Sequence, residues 1–368
     1  MPLKSFLTGC LMAGIIPVLI AISVPADEAA GRPEYRFIAT SDSFRLEKEM
    51  NAAAKEGFRL QFVSDTFAES QIGVLMMRRA AATPDKTEPP FAQQYEYTVL
   101  AATRISTLRR DLEAVAIQGY ELRGLTAKAS ILPFTASEIL AVLERPAGQL
   151  RQRVEFRFLT ANREETMQKS LETSVSEGFH PVALSVNRDN NAASVLFGLP
   201  VLRYDVVMQR RADNPAAEMA TREYSFISVM KPGTLEKEIN QLAKEGWRFQ
   251  LSGLLGVALM SRDLKGRPEH RYEYKLLKVR RTGTLQKELT ASGRQGYIYR
   301  GASGIVAIME TDHQAQTRPA QDYKVLAATR LKTARRELDE AVSAGYEVID
   351  LASLGEYIII LRRAAGAN

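Results

Sequence analysis

Six times along this chain an aromatic residue in a strand-like run is followed, 22 positions later, by a glycine and then a second aromatic. The pairs are Tyr35 with Gly57-Phe58, Tyr97 with Gly119-Tyr120, Phe156 with Gly178-Phe179, Tyr224 with Gly246-Trp247, Tyr274 with Gly296-Tyr297 and Tyr323 with Gly345-Tyr346. A spacing that never varies marks tandem duplication, and a repeat constrains the fold more than any composition does. One copy, at about 45 residues, is too short to bury an adequate core alone, so the copies must lean on one another.

Each copy reads as β-α-β-β. The opening run alternates, as in Tyr97-Thr98-Val99 and Tyr274-Lys275-Leu276, the pattern of a half-buried strand. Twelve residues before the glycine stands Thr107, Thr166, Thr234, Thr284 or Thr333 in five copies and Arg45 in the first. Threonine there is expected to be the N-cap, accepting from an orphan N–H of the first turn. Eleven residues then remain before the glycine, about three helical turns. The apolar positions fall on one face, as Leu235, Ile239, Leu242 and Ala243 do. Seven before the glycine the residue is always large and aliphatic: Met50, Leu112, Leu171, Ile239, Leu289 or Leu338. The glycine suits the left-handed residue that ends a helix, and the following aromatic should fold back onto the last turn. Trp247, the only tryptophan, is thus expected to pack at a helix end.

A second strand follows, as in Trp247-Arg248-Phe249-Gln250-Leu251, and a third is expected at 72–77, 139–143, 204–208, 257–260, 305–309 and 357–361. Paired arginines after several of them, such as Arg78-Arg79, Arg210-Arg211 and Arg362-Arg363, read as solvated strand ends that discourage edge pairing. The fold class is α+β: six tandem β-α-β-β repeats in two-layer helix-on-sheet packing, the copies either paired or stacked. Their expected bounds are 33–80, 94–146, 153–212, 222–263, 271–311 and 321–364. Copy three has the longest insertion, with an apolar run at 194–197 that suits a hairpin arm, and copy two a smaller one around Ile131-Leu132-Pro133-Phe134.

Tyr272-Glu273-Tyr274-Lys275-Leu276, and the run from Leu235-Glu236-Lys237-Glu238-Ile239 to Lys244-Glu245-Gly246-Trp247, resemble a family of small uncharacterised bacterial domains. Its members open on a Tyr-x-Tyr-Lys-Val-like strand and end their helix in Gly-Trp-Glu-Leu. The resemblance covers the core of all six copies and is most specific in copies four to six. Copy three departs most, with His180-Pro181 after its Gly-Phe. The resemblance implies the fold and carries no activity.

Residues 1–26 read as a cleavable signal peptide: Lys4, an apolar stretch over 6–24, and Val24-Pro25-Ala26 before Asp27. Export to the periplasm or cell envelope of a bacterium follows. Two alternatives are an uncleaved N-terminal membrane anchor, since nineteen apolar residues nearly span a bilayer, and lipid attachment at Cys10. Cys10 is the only cysteine, so cleavage after Ala26 leaves no disulfide and no thiol chemistry.

Against 43 acidic residues stand 49 Lys and Arg, interspersed and without a basic tail, which argues against nucleic acid as a partner. None of the three histidines, His180, His270 and His313, pairs with another at metal-ligand spacing, and no phosphate loop or nucleophile elbow is present. No cofactor is expected. The sharpest candidate lies in copies two and six, which share Val-Leu-Ala-Ala-Thr-Arg at 99–104 and 325–330. Arg109-Arg110 and Arg335-Arg336 then fall in the expected first helical turn, where cations oppose the helix dipole. Arg104 with Arg109 and Arg110, and Arg330 with Arg335 and Arg336, are therefore candidate anion sites. The alternative is shared ancestry of the two copies plus surface charge. The leading functional reading is a non-enzymatic exported scaffold that binds envelope proteins, through exposed strand edges. Beside it stand binding of an anionic glycan or lipid surface through the arginines, and a hydrolase with a site between copies.

Overall fold

The computed structural model describes residues 18–19, 32–66, 71–79, 94–128, 138–148, 152–189, 201–212, 221–253, 256–264, 271–278, 281–303, 306–315, 317–353 and 356–366. The insertion runs at 194–197 and 131–134, and residues 1–26 apart from 18–19, lie outside them. A two-residue strand β1 (Val18–Leu19) precedes the repeats. Copy one comprises β2 (Pro33–Thr40), α1 (Ser43–Lys55), β3 (Arg59–Thr66) and β4 (Gln71–Arg79). Copy two comprises β5 (Tyr95–Ala102), α2 (Ile105–Ala116), β6 (Glu121–Lys128) and β7 (Glu138–Pro146). Copy three comprises β8 (Val154–Ala161), α3 (Glu164–Ser176), β9 (His180–Asp189) and β10 (Val201–Arg211). Copy four has β11 (Arg222–Ser228), α4 (Pro232–Lys244), β12 (Arg248–Ser252) and β13 (Val257–Asp263). Copy five has β14 (Tyr272–Lys278), α5 (Thr282–Arg294), β15 (Ile298–Ser303) and β16 (Val306–Asp312). Copy six has β17 (Gln321–Ala328), α6 (Leu331–Ser343), β18 (Glu347–Ser353) and β19 (Tyr357–Ala364). The fold is α+β with six repeated units, as the spacing predicts.

The helix ends divide in their agreement with the sequence. At the C-terminal end all six glycines hold positive φ, from 82° to 87°, where a side chain would be strained. In five copies the aromatic after the glycine donates its N–H back into the last turn, as Phe58 does to Ala53 O (3.1 Å) and Trp247 to Leu242 O (3.2 Å). At the N-terminal end the threonines are not caps. The helices start earlier, so that Thr107, Thr166, Thr234, Thr284, Thr333 and Arg45 sit at the third helical residue. The N-caps are Asp42, Arg104, Arg163, Lys231, Arg281 and Arg330, and only Asp42 makes a side-chain capping bond. Arg109-Arg110 and Arg335-Arg336 consequently occupy the second turn, one turn beyond the place expected of them.

Every sheet is antiparallel with the third strand in the middle, between the first and the second. The middle strand is accordingly the most buried, as Leu140 to Leu143 and Ile358 to Leu361 show. Each second strand carries a bulge near its start, at residue 61, 123, 182, 250, 300 or 349.

The copies stack continuously and close into a ring. Each helix lies between its own sheet and the first strand of the next copy: α1 against β5, α2 against β8, α3 against β11, α4 against β14, α5 against β17, and α6 back against β2. The second strands touch in the same cyclic order, β3 with β6, β6 with β9, β9 with β12, β12 with β15, and β18 back with β3. Closure is a core of its own, joining Leu338, Leu351 and Ile359 to Phe37, Phe62 and Leu75. Phe37 meets Tyr357 edge-on at 5.0 Å, and the Tyr357 hydroxyl donates to Gln71 Oε1 (2.6 Å). β1 lies antiparallel to β6, Leu19 opposite Gly124. Among the described residues no helix is long and apolar enough to cross a membrane.

Candidate functional site

The seams between copies hold most of the buried polar chemistry. The residue three past the helix-ending glycine turns its N–H out of its own sheet and gives it to the opening tyrosine of the next copy. Leu60 donates to Tyr97 Oη (2.8 Å), Phe249 to Tyr274 Oη (2.8 Å), Tyr299 to Tyr323 Oη (2.9 Å) and Val348 to Tyr35 Oη (3.1 Å). Copy three, the most divergent, breaks the rule twice. Its opening residue is Phe156, and Gln209, opposite on β10, supplies the missing acceptor to Leu122 N–H (2.9 Å). Its donor position is Pro181, which has no N–H to give to Tyr224 of copy four. Burial pushes the seam tyrosines up: Tyr35 to about 12, and Tyr97, Tyr274 and Tyr323 above their ordinary value.

Two seams add a carboxylate to the hydroxyl of the opening tyrosine. Glu144, 2% exposed, accepts from Tyr97 Oη (2.8 Å), Arg59 Nη2 (2.8 Å) and Arg123 Nε (3.1 Å). Glu310 repeats this with Tyr274 (2.8 Å), Arg248 (3.1 Å) and Arg300 (2.8 Å). With every acceptor met by fixed donors, these clusters lock the seams rather than present a reactive group. Among the described residues no group of His, Cys, Asp and Glu could hold a metal ion.

The outer edge of each sheet is its first strand, and side chains of the preceding helix pair with its backbone. Asn51 bonds both N–H and C=O of Tyr97 (2.9 and 2.8 Å), and Asn240 does the same to Tyr274 (2.8 Å each). Gln168 spans Tyr224 O and Phe226 N (2.9 Å each). Thr290 meets Tyr323 (3.2 Å each way), and Arg335 donates twice to Phe37 O (2.9 and 2.7 Å). The remaining edge is β8. The residues of α2 that correspond to these, Arg109 and Glu113, are exposed, and neither makes a hydrogen bond to β8 among the described residues. Arg109 rests over the Phe158 ring (5.2 Å). Phe156 and Phe158 on this edge are half-buried, and Ile117, just past α2, is 65% exposed.

The six candidate arginines therefore do different things. Arg335 and Arg109 face seams, Arg110 pairs with Asp111 (3.1 Å), and Arg336 lies 3.7 Å from Glu340. Arg104 and Arg330 are exposed N-caps without a partner among the described residues. The structure does not gather each trio into one pocket. The outer-edge role was readable only by aligning the residue ten before each glycine: Glu47, Arg109, Gln168, Glu236, Gln286 and Arg335 are all long and polar.

A cleft of about 400 Å³ opens at the seam between copies three and four. It is lined by Glu172 and Val175 of α3, Arg222 and Tyr224 of β11, Trp247 and Leu264. Trp247 is 9% exposed, so it packs at the helix end as expected while also lining this cleft. No known family and no curated protein matches the chain.

Proposed function

We propose that the ring is a non-enzymatic, exported scaffold that binds other envelope proteins by adding their extended segments to the outer edge of β8. The observation that carries this reading is the contrast at the outer edges. Helix side chains occupy the backbone of β2, β5, β11, β14 and β17, which protects those edges, whereas among the described residues no helix side chain bonds the backbone of β8, which carries two half-buried phenylalanines. An unpaired edge with apolar side chains beside it is what strand addition needs. The composition of residues 1–26 supports export.

The test places a photo-reactive residue at Thr160 on β8, and in a control at Lys278, the equivalent exposed position on β14. Irradiated cells should give discrete protein adducts from position 160 and none from 278. Glu113→Asn should abolish them, because it installs the residue with which Asn51 and Asn240 cover their edges. Adducts that persist in Glu113→Asn, or that match the control, rule out docking at this edge.

One observation favours a second reading, binding of an anionic glycan or lipid surface. Five helices begin at an exposed cation, Arg104, Arg163, Lys231, Arg281 or Arg330. Such binding would weaken steeply with salt and ignore Glu113→Asn.

A further inference from the structure

We infer that the cleft between copies three and four is a binding site for a small amine with an apolar body. The cleft exists because two local rules fail at this seam together. Pro181 cannot donate, so Tyr224 has no backbone N–H from the second strand to hold it as Tyr97 and Tyr274 have. The bond to the opening residue's carbonyl has also moved by one helical turn. Copies one and four use Asn51 and Asn240, six residues before the glycine, whereas copy three uses Gln168, ten before it. That shift leaves Glu172, at the asparagine position, free to stand at the mouth of the cleft.

The charges around the cleft then decide the ligand. Arg222 is held by Asp263 (2.8 Å), and Glu223 by Arg262 (2.7 Å), whose guanidinium lies over the Trp247 ring (4.7 Å). Glu172 accepts one neutral amide hydrogen bond from Gln168 (2.8 Å) and meets no cation among the described residues. One uncompensated carboxylate therefore faces a floor of Val175, Leu264 and Trp247. A carboxylate above an apolar floor selects an ammonium joined to a hydrocarbon, and the volume lies within the range of small-ligand pockets. An anion would meet Glu172 with both nearby arginines already engaged.

Trp247 is the chain's only tryptophan, so its emission reports on this cleft alone. The full chain would be titrated with phenethylamine, with its neutral N-acetyl derivative, and with 3-phenylpropionate, by emission and by calorimetry. The amine should bind saturably and at least about tenfold more tightly than the other two. Glu172→Gln should bring the amine down to the level of the acetyl derivative without moving the unfolding midpoint, since Glu172 is exposed. Val175→Phe, which fills the floor, should abolish binding of all three. Equal binding of the three probes, amine binding that survives Glu172→Gln, or flat emission and calorimetric traces overturn the assignment. Edge docking at β8 is separate: Glu113→Asn should leave this titration unchanged.

Discussion

Asp350 shows how far a single residue can depart from its counterparts within one repeat. The equivalent positions hold Phe62, Gly124, Ala183, Leu251 and Gly301. Asp350 is 7% exposed, accepts from the Tyr299 hydroxyl (2.5 Å) and from Leu351 N–H (2.8 Å), and has no cation beside it among the described residues. Burial raises its pKa above the ordinary carboxylate value. A raised acid favours the folded state fully below its unfolded pKa, and that contribution is lost as pH rises through the folded value. Urea midpoints from pH 4 to 8 should therefore show wild type losing ground to Asp350→Asn as pH increases, with the two closest at the acid end. A gap that narrows toward neutral pH would mean the carboxylate is not penalised. Asp350, Gln209 and Pro181 are plain in the sequence as departures from the repeat. Their meaning was not, because Gln209 replaces a hydroxyl that Phe156 lacks and Pro181 removes a donor whose acceptor belongs to the next copy.

The two ends of each helix differ in how far their residues specify them. The glycine with positive φ and the aromatic behind it were legible, since only that chemistry ends a helix so regularly. The start departs from the expected threonine because, although threonine is the better cap by chemistry, a link of two or three residues from the first strand fixes where the helix begins. The third-strand arginines are also more than solvated ends. Arg78, Arg145, Arg210, Arg262 and Arg363 each donate to the carbonyl just before the glycine. Each also lies 4.4 to 4.7 Å over the aromatic that follows it. Four of them reach the acid that precedes the opening aromatic, Glu34, Glu96, Glu155 or Glu223. That acid is present in every copy, an overlooked signal. The fifth copy has Thr311 there, and its Tyr297 hydroxyl bonds Glu273 directly (2.6 Å). Arg145→Ala should cost about 1–2 kcal/mol in urea unfolding, from a cation–π contact, a carbonyl bond and a half-exposed ion pair that salt partly screens. A loss confined to the ion pair in a double-mutant cycle with Glu96→Ala would remove the clamp as a unit.

A linear array of such copies would end in two apolar sheet faces that need capping, whereas a ring has no ends. The repeat announces stacking but says nothing of closure, because the closing contacts join residues about three hundred positions apart. At that seam Phe37, 2% exposed, packs on Tyr357, its carbonyl takes both Arg335 bonds, and Tyr35 holds Val348 N–H. Copy one and copy six are therefore neighbours in energy as much as copy one and copy two. Phe37→Ala should remove about 3–5 kcal/mol of packing at the closing seam. Hydrogen exchange then separates ring from array, since local opening follows the contacts that are lost. In a ring the protection of β18 and β19 falls together with that of β2, while copy three, across the ring, changes least. In an open array the loss stays within copies one and two and copy six keeps its protection. Full protection at 347–361 in the Phe37→Ala chain would mean that the first and last copies do not meet.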